Sequence, residues 1–380
     1  MTIEKKNKFI SNLPAGRIVI KLGTSLLLNQ DMKPDMDYFG KLASDIAKIR
    51  EAGAQVLIVT SGAIGVGMSK LDMKTRPRTI PDKQAVAAIG QGSLMHIYET
   101  VFNKYDIKVA QILLTREDVE NRKRYLNARN TLLTLLKYNA LPIINENDTV
   151  AVDEIKFGEN DNLSALITNL VEADFLIILS DTDGLCTCDP RIDKEAKVIT
   201  TVDKITPEIE KLAGGAGTCV STGGMYTKIQ AGKKVTTAGK AMIITNGKKE
   251  NILLDIILYG KLQGTLFLPS GDKMVSRKKW IAFTLYPQGR IKVDQGAEEA
   301  ILKKGKSLLP SGIKEIEGNF FIGDAVTIVN MDGKEVARGL INYSVEELNI
   351  IRGAKTKDIE HLLGYKYFDE VVHRDNMVVL

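Results

Sequence analysis

Stretches dense in Val, Ile and Leu recur through the first two thirds of the chain: RIVIKL from Arg17, AQVLIVT from Ala54, KVAQILL from Lys108, ALPIIN from Ala140, DFLIILS from Asp174 and AMIIT from Ala241. They are near-continuous rather than alternating, the pattern of strands buried on both faces of a parallel sheet. Between them the apolar period changes. From Met36 to Ala52, Phe39, Leu42, Ala43, Ile46 and Ile49 fall on one face of a helix. Strand, helix and strand in succession predict a three-layer αβα sandwich around a mostly parallel sheet.

The pattern changes near Pro269-Ser-Gly-Asp-Lys. Beyond it the apolar positions alternate over short spans, GRIKVD from Gly289, FFIGDAVTIVN from Phe320 and KEVARGLINY from Lys334, with turn residues at Gly318-Asn and Asp332-Gly. Asp-Gly between two alternating runs is a hairpin signal. The expected organisation is an α/β domain over 1–268, a linker over 269–285, a small mostly-β domain over 286–368 and a tail over 369–380.

Composition narrows the class without deciding it. The 380 residues are 44% hydrophobic and 26% charged, ordinary for a globular protein, with a net charge of +5. No run reaches the roughly 18 to 20 consecutive apolar residues of a membrane span, and the charged N-terminus lacks the apolar core of a secretory signal, so the expected address is cytoplasmic. Cys186, Cys188 and Cys219 are too few for a disulfide framework, and His96, His361 and His373 lie far from them in sequence, which argues against a structural zinc site. The basic excess concentrates between Lys273 and Phe320, with ten basic residues against five acidic ones. A solvated surface accounts for most such excesses, and a nucleic-acid-facing surface is the sharper alternative.

The segments just beyond the strands are more informative than the strands themselves. Gly23-Thr-Ser comes after the first, Ser61-Gly-Ala-Ile-Gly-Val-Gly after the second, Asn145-Glu-Asn-Asp148 after the fourth and Asp181-Thr-Asp-Gly after the fifth. In open α/β sheets the carboxyl ends of the strands build the ligand site, so these polar and glycine-rich segments are expected to converge. None matches a P-loop or a dinucleotide fingerprint, which disfavours an ordinary P-loop enzyme or a Rossmann dehydrogenase. A lone lysine at a strand end is ordinarily a solvated side chain. Lys21 closing the first strand and Lys228 following a Gly-Gly turn together form a different pattern, because phosphoryl transfer needs positive groups around the transferred group. An anion between them, such as Asp161, would orient the pair. No histidine lies in the converging segments, which suits an acceptor already ionised at neutral pH, as a carboxylate with a reference pKa of ~4.3 is.

KLGTS at Lys21, TSGAIGVG at Thr60, NENDTVAVDEIKFGENDNLSA at Asn145, GLCTCDPR at Gly184 and STGGMYTK at Ser221 closely resemble the glutamate 5-kinases of the amino-acid kinase superfamily. The tail, GRIKVDQGAEEAILKKGKSLLPSGI followed by GNFFIGDAV, resembles the PUA domain, a small mostly-β barrel otherwise met in RNA-modifying enzymes. The resemblance spans nearly the whole chain. It implies transfer of the ATP γ-phosphoryl group to the side-chain carboxylate of L-glutamate, giving L-glutamyl 5-phosphate on the way to proline. By matching motifs it implies that Ser61, Asp148 and Asn160 bind glutamate, and that Lys21 and Lys228 stabilise the transferring group with Asp161 organising them. Lys21, Ser180, Asp181 and the run Thr222, Gly223, Gly224, Met225, Tyr226, Thr227 and Lys228 are implied to hold the nucleotide, with Mg2+ on its phosphates. It further implies feedback inhibition by proline and homo-oligomers, dimers or tetramers, and leaves RNA binding by the PUA-like domain open.

Ser180 stands where many relatives of that resemblance carry Thr, Cys186 where Tyr is usual, and Ser221 where Gly precedes Thr-Gly-Gly. All three bear on the nucleotide side. Two rivals have distinct signatures. Another superfamily kinase, acting on aspartate, acetylglutamate, carbamate or a nucleoside monophosphate, would differ in the Asn145 to Ser164 segment. An RNA-binding protein on a degenerate scaffold would have lost Lys21, Asp148, Asp161 and Lys228, and all four are present.

Overall fold

The computed structural model describes residues 16–120, 122–150, 159–188, 193, 195–214, 224–270 and 286–380. The chain divides into two compact units, Met1–Lys273 and Met274–Leu380.

Among the described residues the first unit has an eight-stranded sheet in the order β3-β4-β2-β1-β5-β7-β8-β6. Its strands are β1 (Arg17–Leu22), β2 (Gln55–Val59), β3 (Val109–Leu114), β4 (Leu141–Glu146), β5 (Phe175–Ser180), β6 (Thr201–Val202), β7 (Ala241–Asn246) and β8 (Thr265–Phe267). The six apolar runs read from the sequence are β1 to β5 and β7, and these pair in parallel. Two short strands were not legible in the pattern: β8 runs antiparallel to β7, and β6 pairs with β8. The chain builds outward from β1 on one side through β2 and β4, then returns to add β5 and β7 on the other. The carboxyl ends of β1 and β5 therefore meet at a topological switch point, where such sheets bind ligands.

Helices cover both faces. On one lie α1 (Met36–Glu51), α2 (Ala63–Lys70) and α3 (Ile80–Asn103); α4 (Arg122–Lys137) packs on β4; α5 (Glu159–Leu170) and α6 (Met225–Thr237) lie side by side on the opposite face; α7 (Ile252–Ile257) packs against α1. The stripe expected on α1 is its buried face, Phe39, Leu42, Ala43, Ile46 and Ile49, and Asp35 caps the helix by accepting the Tyr38 backbone N–H at 3.0 Å. Ile18, Ile20 and Leu22 of β1 join the core on the α1 side. Side chains alternate across a strand, so Val19 and Lys21 face α5 and α6. A lysine among the buried apolar residues Ile18 to Leu22 is thereby aimed at the helix layer beneath the strand ends.

The glycines after β2 do something other than line a loop. Helix α2 begins at once, putting Gly65 and Gly67 inside it. A Cβ on Gly67 would collide with the backbone of Val86, and one on Gly90 with the Ala63 carbonyl and the Gly67 nitrogen. These glycines let α2 and α3 approach backbone to backbone, so the glycine-rich segment after β2 is largely helix. Gly62, at φ 98°, provides the turn from strand to helix.

In the second unit five strands, β9 (Gly289–Val293), β10 (Ile313–Gly318), β11 (Ala325–Val329), β12 (Glu335–Leu340) and β13 (Met377–Val379), form a separate sheet in the order β10-β9-β11-β12-β13. The hairpin expected at Asp332-Gly joins β11 to β12, with Gly333 at φ 79°. Ile291, Phe320, Val326, Ile328 and Ala337 belong to its core. Among the described residues no helix of either unit is long and apolar enough to cross a membrane.

Candidate active site

Three side chains from three elements meet beside the switch point. Lys21, at the end of β1, places Nζ 2.7 Å from Asp161 Oδ1. Lys228, in the first turn of α6, places Nζ 3.2 Å from Asp161 Oδ2 and donates to the Gly224 carbonyl at 3.1 Å. Thr227 Oγ1 donates to the same Asp161 Oδ2 at 2.7 Å. Asp161 is 2% exposed and each lysine 7%, so this is a buried group of two cations on one carboxylate. Such charges are tolerated only when paired and hydrogen-bonded.

Asp161 also sits in the first turn of α5, where the helix dipole favours an anion. Burial pushes its carboxyl pKa up, but the two ammonium groups and the Thr227 hydroxyl more than offset this and hold it below the ordinary carboxylate value. Burial pulls the Lys21 pKa below that of an ordinary lysine; Asp161 opposes that and Lys228 adds to it. The group holds one more cation than anions.

Alongside it lies a neutral cluster. Asn160, next to Asp161, donates from Nδ2 to Ser61 Oγ at 2.9 Å and to Asn145 Oδ1 at 3.3 Å. Asn145 Oδ1 also accepts the Glu146 backbone N–H at 2.9 Å, and Asn145 Nδ2 donates to Gln91 Oε1 on α3 at 2.8 Å. Asn160 Oδ1 and Gln91 Nε2 are buried and have no hydrogen-bond partner among the described residues. Buried amide atoms are rarely left unpaired without a reason, so this cluster has hydrogen-bonding capacity that the described residues do not fill.

The remaining residues singled out in the sequence fall around these two clusters. Asp148 lies half-buried in the turn after β4, where Val150 N–H bonds to the Asn147 carbonyl at 3.1 Å. Ser180 ends β5, buried, with Oγ 3.2 Å from Asp181 Oδ1; Asp181 itself is exposed and acts electrostatically on Lys21. Gly224 is the N-cap of α6, and Met225, Tyr226 and Thr227 occupy its first turn, all half-buried. Thr222 and Gly223 lie outside the described residues. Asn145 opens the polar segment expected to converge here, though no separate role was assigned to it; Gln91 was not picked out from the sequence. An open cavity of ≈ 610 Å³ lies on the α1 and α7 side of the sheet, lined by Tyr38, Asp45, Gly247 and Ile252 among others, and includes no residue of either cluster.

Residues 16–246 match the profile of the amino acid kinase family, and the chain belongs to that family. Residues 289–363 match the PUA domain. Among its relatives, the glutamate 5-kinase of Thermoanaerobacter pseudethanolicus is 55% identical over 364 residues, 96% of this chain and 98% of that one. Those of Caldanaerobacter subterraneus subsp. tengcongensis and Geobacter sulfurreducens are 55% and 50% identical over 96% of this chain, covering 98% and 97% of theirs. Among solved structures, carbamate kinase from Giardia lamblia bound to AMP-PNP shares the fold, with a TM-score of 0.50 and 20% identity, covering 68% of this chain and 100% of that one.

Proposed function

We propose that the protein transfers the γ-phosphoryl group of ATP to the side-chain carboxylate of L-glutamate, forming L-glutamyl 5-phosphate, the first step towards proline. The observation that carries this reading is the buried Lys21, Asp161, Lys228 group with a neutral amide and hydroxyl cluster at its flank. Near-full-length identity to glutamate 5-kinases supports the choice of acceptor.

In this reading Lys21 and Lys228 lie around the transferring phosphoryl group, where negative charge spreads over the bridging and equatorial oxygens. Asp161 keeps both ammonium groups at fixed positions, so little reorganisation is needed at the moment of transfer. Ser61, Asp148 and Asn160 hold glutamate. An amino acid brings both hydrogen-bond donors and acceptors, which suits an uncharged cluster in which Asn160 Oδ1 and Gln91 Nε2 lack partners among the described residues. Ser180, Asp181 and the segment from Thr222 to Lys228 hold the nucleotide. The acceptor carboxylate is ionised at neutral pH and needs no general base, consistent with a site built without histidine.

Magnesium accompanies ATP in this reading. Asp161 is engaged by cations, and among the described residues no group of three acidic, histidine or cysteine side chains could hold a metal. The chain therefore suits an ion carried on the nucleotide phosphates, the usual habit of Mg2+. Bound there, it neutralises phosphate charge. The same reading carries a cytoplasmic location, feedback inhibition by proline and a homo-oligomeric state.

The test is an acceptor panel. With ATP, Mg2+ and L-glutamate the purified protein should consume ATP, and hydroxylamine should trap the acyl phosphate as a hydroxamate. Turnover with L-aspartate, carbamate or a nucleoside monophosphate, and none with glutamate, would overturn the choice of acceptor.

A further inference from the structure

We infer that Gln91 and Tyr98 on α3 are positioning residues, and that α3 is the platform holding the acceptor-binding cluster in register with the lysine pair. The inference rests on the proposed reading for the identity of the acceptor, and on geometry for the rest.

Two residues seven apart on a helix differ by only about 20° in direction, so Gln91 and Tyr98 share one face of α3 two turns apart. Each enters the cluster at a different end. Tyr98 and Thr60 are fully buried, with Tyr98 OH 2.7 Å from Thr60 Oγ1. Thr60 follows β2 directly, its backbone N–H bonded to the Ile144 carbonyl of β4 at 2.9 Å. Thr60 Oγ1 lies 3.2 Å from the Ser61 carbonyl, to which it donates. A hydroxyl has one proton, so Thr60 must accept from Tyr98, and the proton order runs Tyr98 to Thr60 to Ser61. Burial pushes the Tyr98 phenol pKa up, which keeps it a neutral donor.

Gln91 acts at the other end. Its Oε1 accepts from Asn145 Nδ2 and so decides which way the Asn145 amide points. With that orientation Asn145 Oδ1 faces Glu146 N and Asn160 Nδ2, and Asn160 reaches Ser61 Oγ. Ser61 is thus held at its backbone through Tyr98 and at its side chain through Gln91.

The helix bearing both residues is itself fixed. The close approach of Gly67 to Val86 and of Gly90 to Ala63 sets its distance from α2, which begins two residues after Ser61. The Tyr98 ring is wedged edge-on against Phe39 at 5.2 Å between centroids and stacked on Phe102 at 6.3 Å. A misplacement of about 1 Å at a reacting centre can cost on the order of a hundredfold in rate, so a rigid support beneath a cluster of uncharged groups has a direct kinetic consequence.

The experiment is a double-mutant cycle on the full-length protein, with steady-state titrations of both substrates and a thermal midpoint for each variant. Tyr98→Phe keeps the ring and removes the hydroxyl; it should raise KM for the acceptor about fivefold to tenfold, the scale of one lost hydrogen bond, while leaving KM for ATP within twofold. Gln91→Met should do the same. On a Ser61→Ala background, adding Tyr98→Phe should change acceptor kcat/KM by less than about twofold, because the route runs through Ser61. Full additivity in the cycle, equal rises in both KM values that track a fallen midpoint, or wild-type acceptor KM in both single variants would each overturn the inference. Should Tyr98→Phe fail to fold, Thr60→Val reads the same link from its other side. If the wild-type protein turns over a different acceptor, that overturns the glutamate reading alone, and the cycle is read on that acceptor.

Discussion

The lysine group and the amide group occupy neighbouring strand ends, yet they are made of opposite materials. In the first, Asp161 takes both Lys21 and Lys228 and a threonine hydroxyl, so nearly every strong bond is already made and what remains is charge, one cation in excess. In the second, Ser61, Asn145, Asn160 and Gln91 carry no charge, and what remains is two open amide atoms. Buried charge without a partner costs far more than a buried amide without one. On the proposed reading, a phosphoryl group is met by surplus charge shared over a locked group, and an amino acid by uncharged hydrogen-bonding groups. The difference predicts that the two groups fail differently when cut.

The largest effect should come from Asp161. Asp161→Ala leaves two buried ammonium groups facing each other without a counter-charge, and breaking such a group typically costs about 3 to 5 kcal/mol. Stability measured by urea unfolding should fall by that order, and turnover should drop below detection. A variant as stable as the wild type would show that the lysines are not held by this carboxylate.

Lys21→Met comes next. Its charge matters most when negative charge spreads in transfer, so kcat should fall by roughly 10²- to 10³-fold, the scale of losing one charge-stabilising donor, with glutamate KM changed far less. Asn160→Ala should show the reverse, with glutamate KM raised roughly tenfold to a hundredfold and kcat changed less. If Lys21→Met raised only glutamate KM while Asn160→Ala lowered only kcat, the two halves would be assigned the wrong way round.

Much of this contrast could be read from sequence, and what could not has identifiable physical causes. The inner strands such as β4 and β5 are apolar because both faces are covered, whereas β3, at the sheet edge, is mostly half-buried with Gln111 exposed; the α1 stripe from Phe39 to Ile49 is the face it buries. Lys21 stood out because it closes the first strand and pairs in pattern with Lys228 after a Gly-Gly turn; alternation along β1 then puts it on the same side as Val19. The partner of the two lysines was suggested by motif, since Asp161 is separated from them by more than sixty residues in one direction and more than a hundred in the other, and only the layering of α5 and α6 joins them. Gln91 left no local trace. Between Gly90 and Gly92 on a long helix it reads like any solvated glutamine, and the usable signal was that Val86, Ala87 and Leu94 around it are core positions. Gly65 and Gly67 were ambiguous because a glycine that turns a loop and one that lets two helices touch have the same spelling. The strands β6 and β8, two and three residues long, are too short to show a period.

The smallest expected effect lies in the pH dependence, and it separates loss of a proton from loss of the fold. Burial, helped by Lys228 and opposed by Asp161, places the Lys21 pKa below that of an ordinary lysine. If its positive charge drives transfer, kcat at saturating substrates should begin to fall on the alkaline side before the ordinary lysine value of about 10.4. One proton lost limits the fall to about tenfold per pH unit. Over the same interval, between the folded and unfolded pKa of Lys21, the unfolded chain binds more protons than the native one, so this group's contribution to stability rises with pH. Asp161 does not interfere. Its folded pKa is depressed, so its contribution is fully present above the unfolded carboxylate value and is lost only as pH falls through the folded one. Activity and the Lys21 contribution to stability should thus move in opposite directions as pH rises. The measurement is kcat against pH beside urea unfolding at each pH. A parallel decline of both would mean that the alkaline limb reports unfolding. A kcat flat to the ordinary lysine range would mean that the Lys21 charge is not what the lysine half of the site contributes.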